Sequence, residues 1–136
     1  MTNKTDAHTY AARILKPMAR YIDVAQDGRP PWLTVDALPE GEELIGVYQN
    51  EIGVEDDAIL VTSIGIRWRS GNFRSSISYS EVDRIRTALT SEEKSCVEGV
   101  HVTTRLEELF VPVRGRNGNF ADAFEFSRFL QRASSR

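Results

Sequence analysis

The chain has 136 residues, 40% hydrophobic and 27% charged, a composition that suits one globular domain with a real core and excludes intrinsic disorder. Its formal net charge of -3 lacks the strongly basic balance of a nucleic-acid binder, and no stretch approaches the roughly 20 consecutive apolar residues of a membrane span. The lone Cys96 excludes an intramolecular disulfide, and the opening residues carry no basic and apolar secretory leader, so the expected setting is a reducing cytoplasm.

In chain order, apolar residues at Ala7, Tyr10, Ala11, Ile14, Leu15, Met18, Tyr21, Ile22 and Ala25 recur at helical spacing and predict an amphipathic helix over 6–25. Asp6 or Thr5 can cap it, Pro17 should kink or split it near 13–16, and Asp27-Gly28 can end it. Its apolar stripe is expected to pack on its own domain or on a second copy, and its basic opposite face raises a membrane surface as the alternative. Pro30-Pro31 and the turn at 38–41 mark a linker, in which Trp32 should act as a plug that pins the segment to the domain. The chain thus divides into residues 1–36, helix and linker, and residues 37–136, the main domain.

Residues 44–49 predict a strand with Ile45 and Val47 on one face and Leu44 and Tyr48 on the other, covered on both sides. An acidic loop over 50–57 follows. Ile59 and Val61 alternate with Leu60 and Thr62, and beyond Ser63 and Gly65, Ile66 and Trp68 alternate with Arg67 and Arg69, giving two further strands. After a turn at 70–72, Phe73, Ile77 and Tyr79 share one face of another strand. Ser80 and Glu81 form a corner, and a short strand resumes at Arg84. Residues 87–98 carry no periodicity and read as a loop, while Val100 and Val102, then Leu109, Val111 and Val113, predict a terminal hairpin whose second strand, with Pro112, is an edge. Asn119 caps a last helix with an apolar arc of Phe120, Ala123, Phe124, Phe126, Ser127, Leu130 and Ala133.

Short strands closed by one C-terminal amphipathic helix make the chain mainly β, an antiparallel barrel or sandwich capped by a helix, with an N-terminal helix added. The residues Ile59-Leu60-Val61-Thr62-Ser63, Gly65-Ile66-Arg67-Trp68-Arg69, Ile77-Ser78-Tyr79-Ser80-Glu81-Val82 and the helix through 126–130 resemble, in this order, the bacterial PH-like and GRAM-like domains of the pleckstrin-homology-like superfold. The resemblance spans about residues 42–133, and Ser63 stands where the family often has Asp. It implies a PH-like barrel and a non-enzymatic module that binds lipids, peptides or proteins. Lipid-binding members place Lys and Arg around the loop joining the first two strands, whereas this chain has Glu51, Glu55, Asp56 and Asp57 there, which repel an anionic headgroup.

Catalytic chemistry has little support. His8, His101 and Cys96 are too few and too scattered for zinc, Cys96 with His101 is a chance pairing rather than a nucleophile and base, and there is no phosphate-binding glycine motif. Two candidate surfaces remain. Arg67, Arg69, Arg74, Arg84 and Arg86 can form a basic stripe across neighbouring strands, and Arg114 and Arg116 beside the helix start at Asn119 can hold an anion. The resulting expectation is a module without cofactor or metal that binds an unidentified protein, with homo-oligomerisation through the N-terminal helix as a further possibility. Binding of an anionic membrane through the arginines and that helix is the alternative. A small-molecule barrel or small enzyme with a pocket lined by Tyr48, Tyr79 and His101 comes third.

Overall fold

The structure is a computed structural model and describes residues 4–33, 38–71, 73–86, 99–114 and 120–134. It is mainly sheet. The strands are β1 (Tyr21–Asp23), β2 (Leu44–Gln49), β3 (Ala58–Thr62), β4 (Gly65–Ser70), β5 (Phe73–Ser78), β6 (Arg84–Arg86), β7 (Gly99–Thr103) and β8 (Glu108–Pro112). The helices are α1 (Lys4–Tyr10), α2 (Val24–Asp27) and α3 (Phe120–Ser134). Strands β1 to β5 form one antiparallel meander and β6 to β8 a second. Among the described residues the two sheets do not close into the expected barrel, because no backbone ladder joins one to the other.

The N-terminal segment departs most from its periodicity. Instead of a helix to residue 25, α1 loosens into a wider π-type turn over Ala11–Leu15, closed by Lys16 N–H to Ala11 O at 3.0 Å. Pro17 cannot continue the ladder. The chain turns, and Tyr21–Asp23 becomes an edge strand on β2, with Tyr21 opposite Tyr48. One turn of α2 then ends at Gly28, whose positive φ of 78° is the left-handed exit glycine tolerates. The apolar stripe of this segment, Ala7, Ala11, Ile14 and Leu15, is buried in the same core as the C-terminal helix. Residues on both sides of position 36 therefore share one core.

A bulge corrects the reading of β2. Leu44 pairs with Thr62 and Gly46 with Val61, so Ile45 is an extra residue that shifts the alternation. Ile45 joins Tyr48 in the main core, whereas Leu44 joins Val47 on the other face. That other face is covered by the linker: Leu33 and Trp32 pack on Leu44, Val47, Ala58 and Leu60, the plug expected of Trp32.

The main core lies between the inner faces of the two sheets and under α3. Ile59, Val61, Ile66, Trp68 and Ile77 come from the first sheet, and Val100, Val102 and Val111 from the second. The buried face of α3 is Ala123, Phe126, Phe129, Leu130 and Ala133, with Phe124 at 43% exposure outside it. Phe129 thus replaces Phe124 in the arc. Its ring meets Tyr79 edge-on at 5.8 Å, Phe126 meets Tyr48 at 5.9 Å, and the two Phe rings meet at 6.0 Å. Tyr48 Oη donates to Asp122 Oδ2 at 2.7 Å, fastening the first turn of α3 to β2. The corner after β5 is a 3-10 turn over Tyr79–Glu81 with a Ser78/Glu81 capping box, as the irregular spacing there foretold. Phe73, at the outer end of β5, is exposed rather than part of the core.

The seam between the sheets is held by Asn50. Its Nδ2 donates to Pro112 O and its Oδ1 accepts from Arg114 N, both at 2.7 Å, so a buried side-chain amide satisfies backbone groups at the end of β8. Replacing Asn50 by Ala orphans both groups, and the expected loss is about 2–4 kcal/mol in urea unfolding. Phe129→Ala should cost about 3–5 kcal/mol, whereas Phe124→Ala should cost less than about 1 kcal/mol, a contrast readable in the same measurement.

Candidate functional site

The five arginines of the expected stripe fall on two different sheets. Arg67, Arg69 and Arg74 lie on the outer face of the five-stranded sheet, while Arg84 and Arg86 belong to β6 in the other. Arg67 is tied down: its Nη2 donates to Glu42 Oε1 at 2.9 Å and its Nε to Glu42 Oε2 at 3.2 Å. Thr62 Oγ1 adds a third bond to Glu42 at 2.6 Å while accepting from the N–H of Ile64 and Gly65, so the cluster locks the entry of β2 to the β3–β4 turn. Arg69 is buried at 9% exposure and lies opposite Arg74, which pairs with Asp56 at 3.5 Å. A continuous solvent-facing stripe does not form, because two of its members are held in place and the sheet ends before the last two.

Arg84 and Arg86 are the members that reach solvent unpaired among the described residues. Strand β6 alternates, turning Ile85 to the core and both arginines outward. The register puts Arg86, His101 and Phe110 in one row across the three strands, and Arg84, Thr103 and Glu108 in the next. The His101 ring sits 5.1 Å from the Phe110 ring, and its Nδ1 lies 3.0 Å from Glu108 Oε1. Gly99 makes this possible. A Cβ there would come within 2.6 Å of the Phe110 ring and 2.3 Å of Val111 O, so only a glycine lets the ring lie across β7. The outcome is an open sheet face with two cations beside a half-exposed aromatic pair.

Of the expected anion site only Arg114 lies among the described residues. Arg114 pairs with Asp57 across the seam, and Arg116 and Asn119 lie outside the described residues, as does Cys96. Tyr48 and Tyr79 are buried in the core whereas His101 is on the outer face, so the three line no common pocket. Burial raises the Tyr21 phenol, helped by the Asp23 charge, and burial raises that of Tyr79, which donates to Thr62 O at 2.6 Å. Both remain neutral and structural. No group of three or more His, Cys, Asp or Glu is placed to hold a metal among the described residues, and no helix among them is long and apolar enough to cross a membrane.

Sequence reasoning passed over Phe110 and His101 as a surface. Both stand at alternate positions of strands whose other faces are apolar, a signal of outward placement, but only the register reveals that they meet Arg86.

The hydrogen bonds from Arg67 hold the Glu42 carboxyl below its usual range, with burial opposing and Thr62 assisting, and the same contact raises Arg67. A carboxyl lowered on folding stabilises the protein fully above its unfolded value of about 4.3, and that stabilisation is lost as pH falls through the folded value. The stability gap between the native chain and Glu42→Gln should therefore be full at neutral pH and close progressively below about pH 4, as thermal unfolding across pH would record. Comparison of the chain with protein-family models, with curated proteins and with solved structures gave no match.

Proposed function

We propose that the chain is a non-enzymatic binding module on the PH-like plan, engaging an acidic surface of another protein through the outer face of β6, β7 and β8 in a cytoplasmic setting. Two successive antiparallel meanders followed by a packed C-terminal helix support the PH-like reading, since strands closed by one C-terminal helix are the order that plan implies. The observation that carries the binding reading is the pair Arg84 and Arg86, exposed and without an acidic partner among the described residues, beside the His101–Phe110 rings. Cations flanking an aromatic anchor are the composition of energetically dominant interface residues.

The N-terminal helix offers little to a membrane or to a second copy, because its apolar stripe is already buried within the chain. The acidic loop between β2 and β3 likewise disfavours an anionic headgroup at that end.

The test is retention of a cellular partner on the immobilised chain, compared with the Arg84→Glu/Arg86→Glu double variant and with Phe110→Ser, run beside flotation with phosphatidylserine-containing vesicles. Retention should fall at least about 10-fold in both variants, with folding stability within about 1 kcal/mol of the native chain because the arginines are exposed and Phe110 is half exposed. Flotation of the native chain that the double variant loses would replace the protein partner with a membrane. Unchanged retention in both variants would sink the assignment of this face.

A further inference from the structure

A second surface lies at the corner where the chain passes between the sheets, on residues the proposed binding face does not use. The β7–β8 turn is rigid: Thr104 Oγ1 accepts from the N–H of Leu106 and of Glu107, both at 3.1 Å, and Thr104 N–H donates to Glu107 O at 2.8 Å. This turn holds Leu106 at 95% exposure. One exposed leucine is ordinary on a protein surface. What sets this one apart is the cleft beside it, about 610 Å³, with the Ser80–Asp83 corner as its other wall.

The two walls differ in chemistry. The corner wall carries Glu81 and Asp83 around the half-buried Val82, and the turn wall carries Arg105 and Leu106. Glu81 is held in place by Ser78, whose N–H and hydroxyl both donate to its Oε1 at 2.9 Å. Tyr79 N–H donates to Ile64 O at 2.9 Å, which ties the start of this corner to the β3–β4 turn. Neither Asp83 nor Arg105 has an ion-pair partner among the described residues. A small-molecule site would be lined mostly by hydrophobic and aromatic groups. A cleft with acid on one wall and a cation beside an apolar knob on the other fits a protein surface with the reverse arrangement, and this chain itself carries one.

We propose that this cleft is a two-fold self-association surface: Leu106 of each copy enters the cleft of the other against Val82, and Arg105 of each faces Glu81 and Asp83 of the other. Two-fold contacts require a patch complementary to itself, with residue i meeting j and j meeting i. Rotation about an axis through the cleft brings each acidic wall to a basic one, and each knob to a groove. The patch is small, so the dimer is weak and forms reversibly at high concentration, in the class of interfaces burying less than about 1,200 Å².

Sedimentation velocity from about 10 µM to about 1 mM tests it, the range in which weak interfaces populate. The native chain should sediment faster with rising concentration, and less so in high salt. Leu106→Ser and Arg105→Glu should each stay at the monomer value, as should Asp83→Arg, since each single reversal sets like charges together at both contacts. An equimolar mixture of Arg105→Glu with Asp83→Arg should associate more than either variant alone, because one contact of that mixed dimer keeps the native Arg105 against Glu81 and Asp83 and the other sets the acid introduced at 105 against the cation introduced at 83. A native chain that remains monomeric throughout, a Leu106→Ser chain that associates like the native one, or a mixture that stays monomeric would each overturn the proposal. Failure here leaves the outer face of β6 to β8 untouched, since Arg84, Arg86 and Phe110 are intact in all these variants.

Discussion

The amide of Asn50 does what a backbone ladder would do in a closed barrel. Where β2 ends and β8 ends, two sheets meet without pairing, and buried peptide groups left open there would cost about 1–3 kcal/mol each. One side chain with a donor and an acceptor answers both, and its neighbours reinforce it: Arg20 reaches the Asn50 carbonyl, and Asn50 N–H donates to Asp57 O at 3.1 Å. Asp57 in turn holds Arg114. This seam lets the three-stranded sheet stay attached while its outer face remains open, which is what the proposed binding surface on β6 to β8 requires.

The same economy explains where the polar residues went. Glu42, Arg67 and Thr62 form a structural lock, Tyr48 fastens α3, and Tyr79 fastens the corner to β3. Charges that look available along the chain are consumed by folding when the sheet brings opposite signs together, and Arg67 meeting Glu42 from 25 residues away is the clearest case. Arg84 and Arg86 are left over because their direct partners across the ladder, Thr103 and His101, offer no carboxylate.

The strands were legible because their alternation is local: Ile59 to Thr62, Ile66 to Arg69 and Val100 to Val111 read correctly from side-chain period alone. Tyr21 and Ile22 did not, since their apolar spacing also suits a helix and only the unpaired edge of β2 decides for a strand. Ile45 misled for a related reason, as a bulge is a property of two strands together. Phe124 and Phe129 stand about 140° apart around the helix, and Phe129, three residues after Phe126 and four before Ala133, falls on the buried side where the Tyr79 ring meets it. For the candidate surface, outward placement was readable strand by strand, but the row of Arg86, His101 and Phe110 required a register that no single strand specifies.

The small strand β1 has a consequence of its own. It covers the flank of β2, with Gln49 N–H donating to Arg20 O at 2.9 Å and the Tyr21 ring lying over Gly46, where any Cβ would collide with it. Without β1, the apolar ladder of Leu44–Gln49 would present open N–H and C=O groups along a flat flank, the template on which chains stack into aggregates. The first residues of the chain thus serve as a guard strand as well as a packing element, and a truncation meant to remove a helix would also create an adhesive edge.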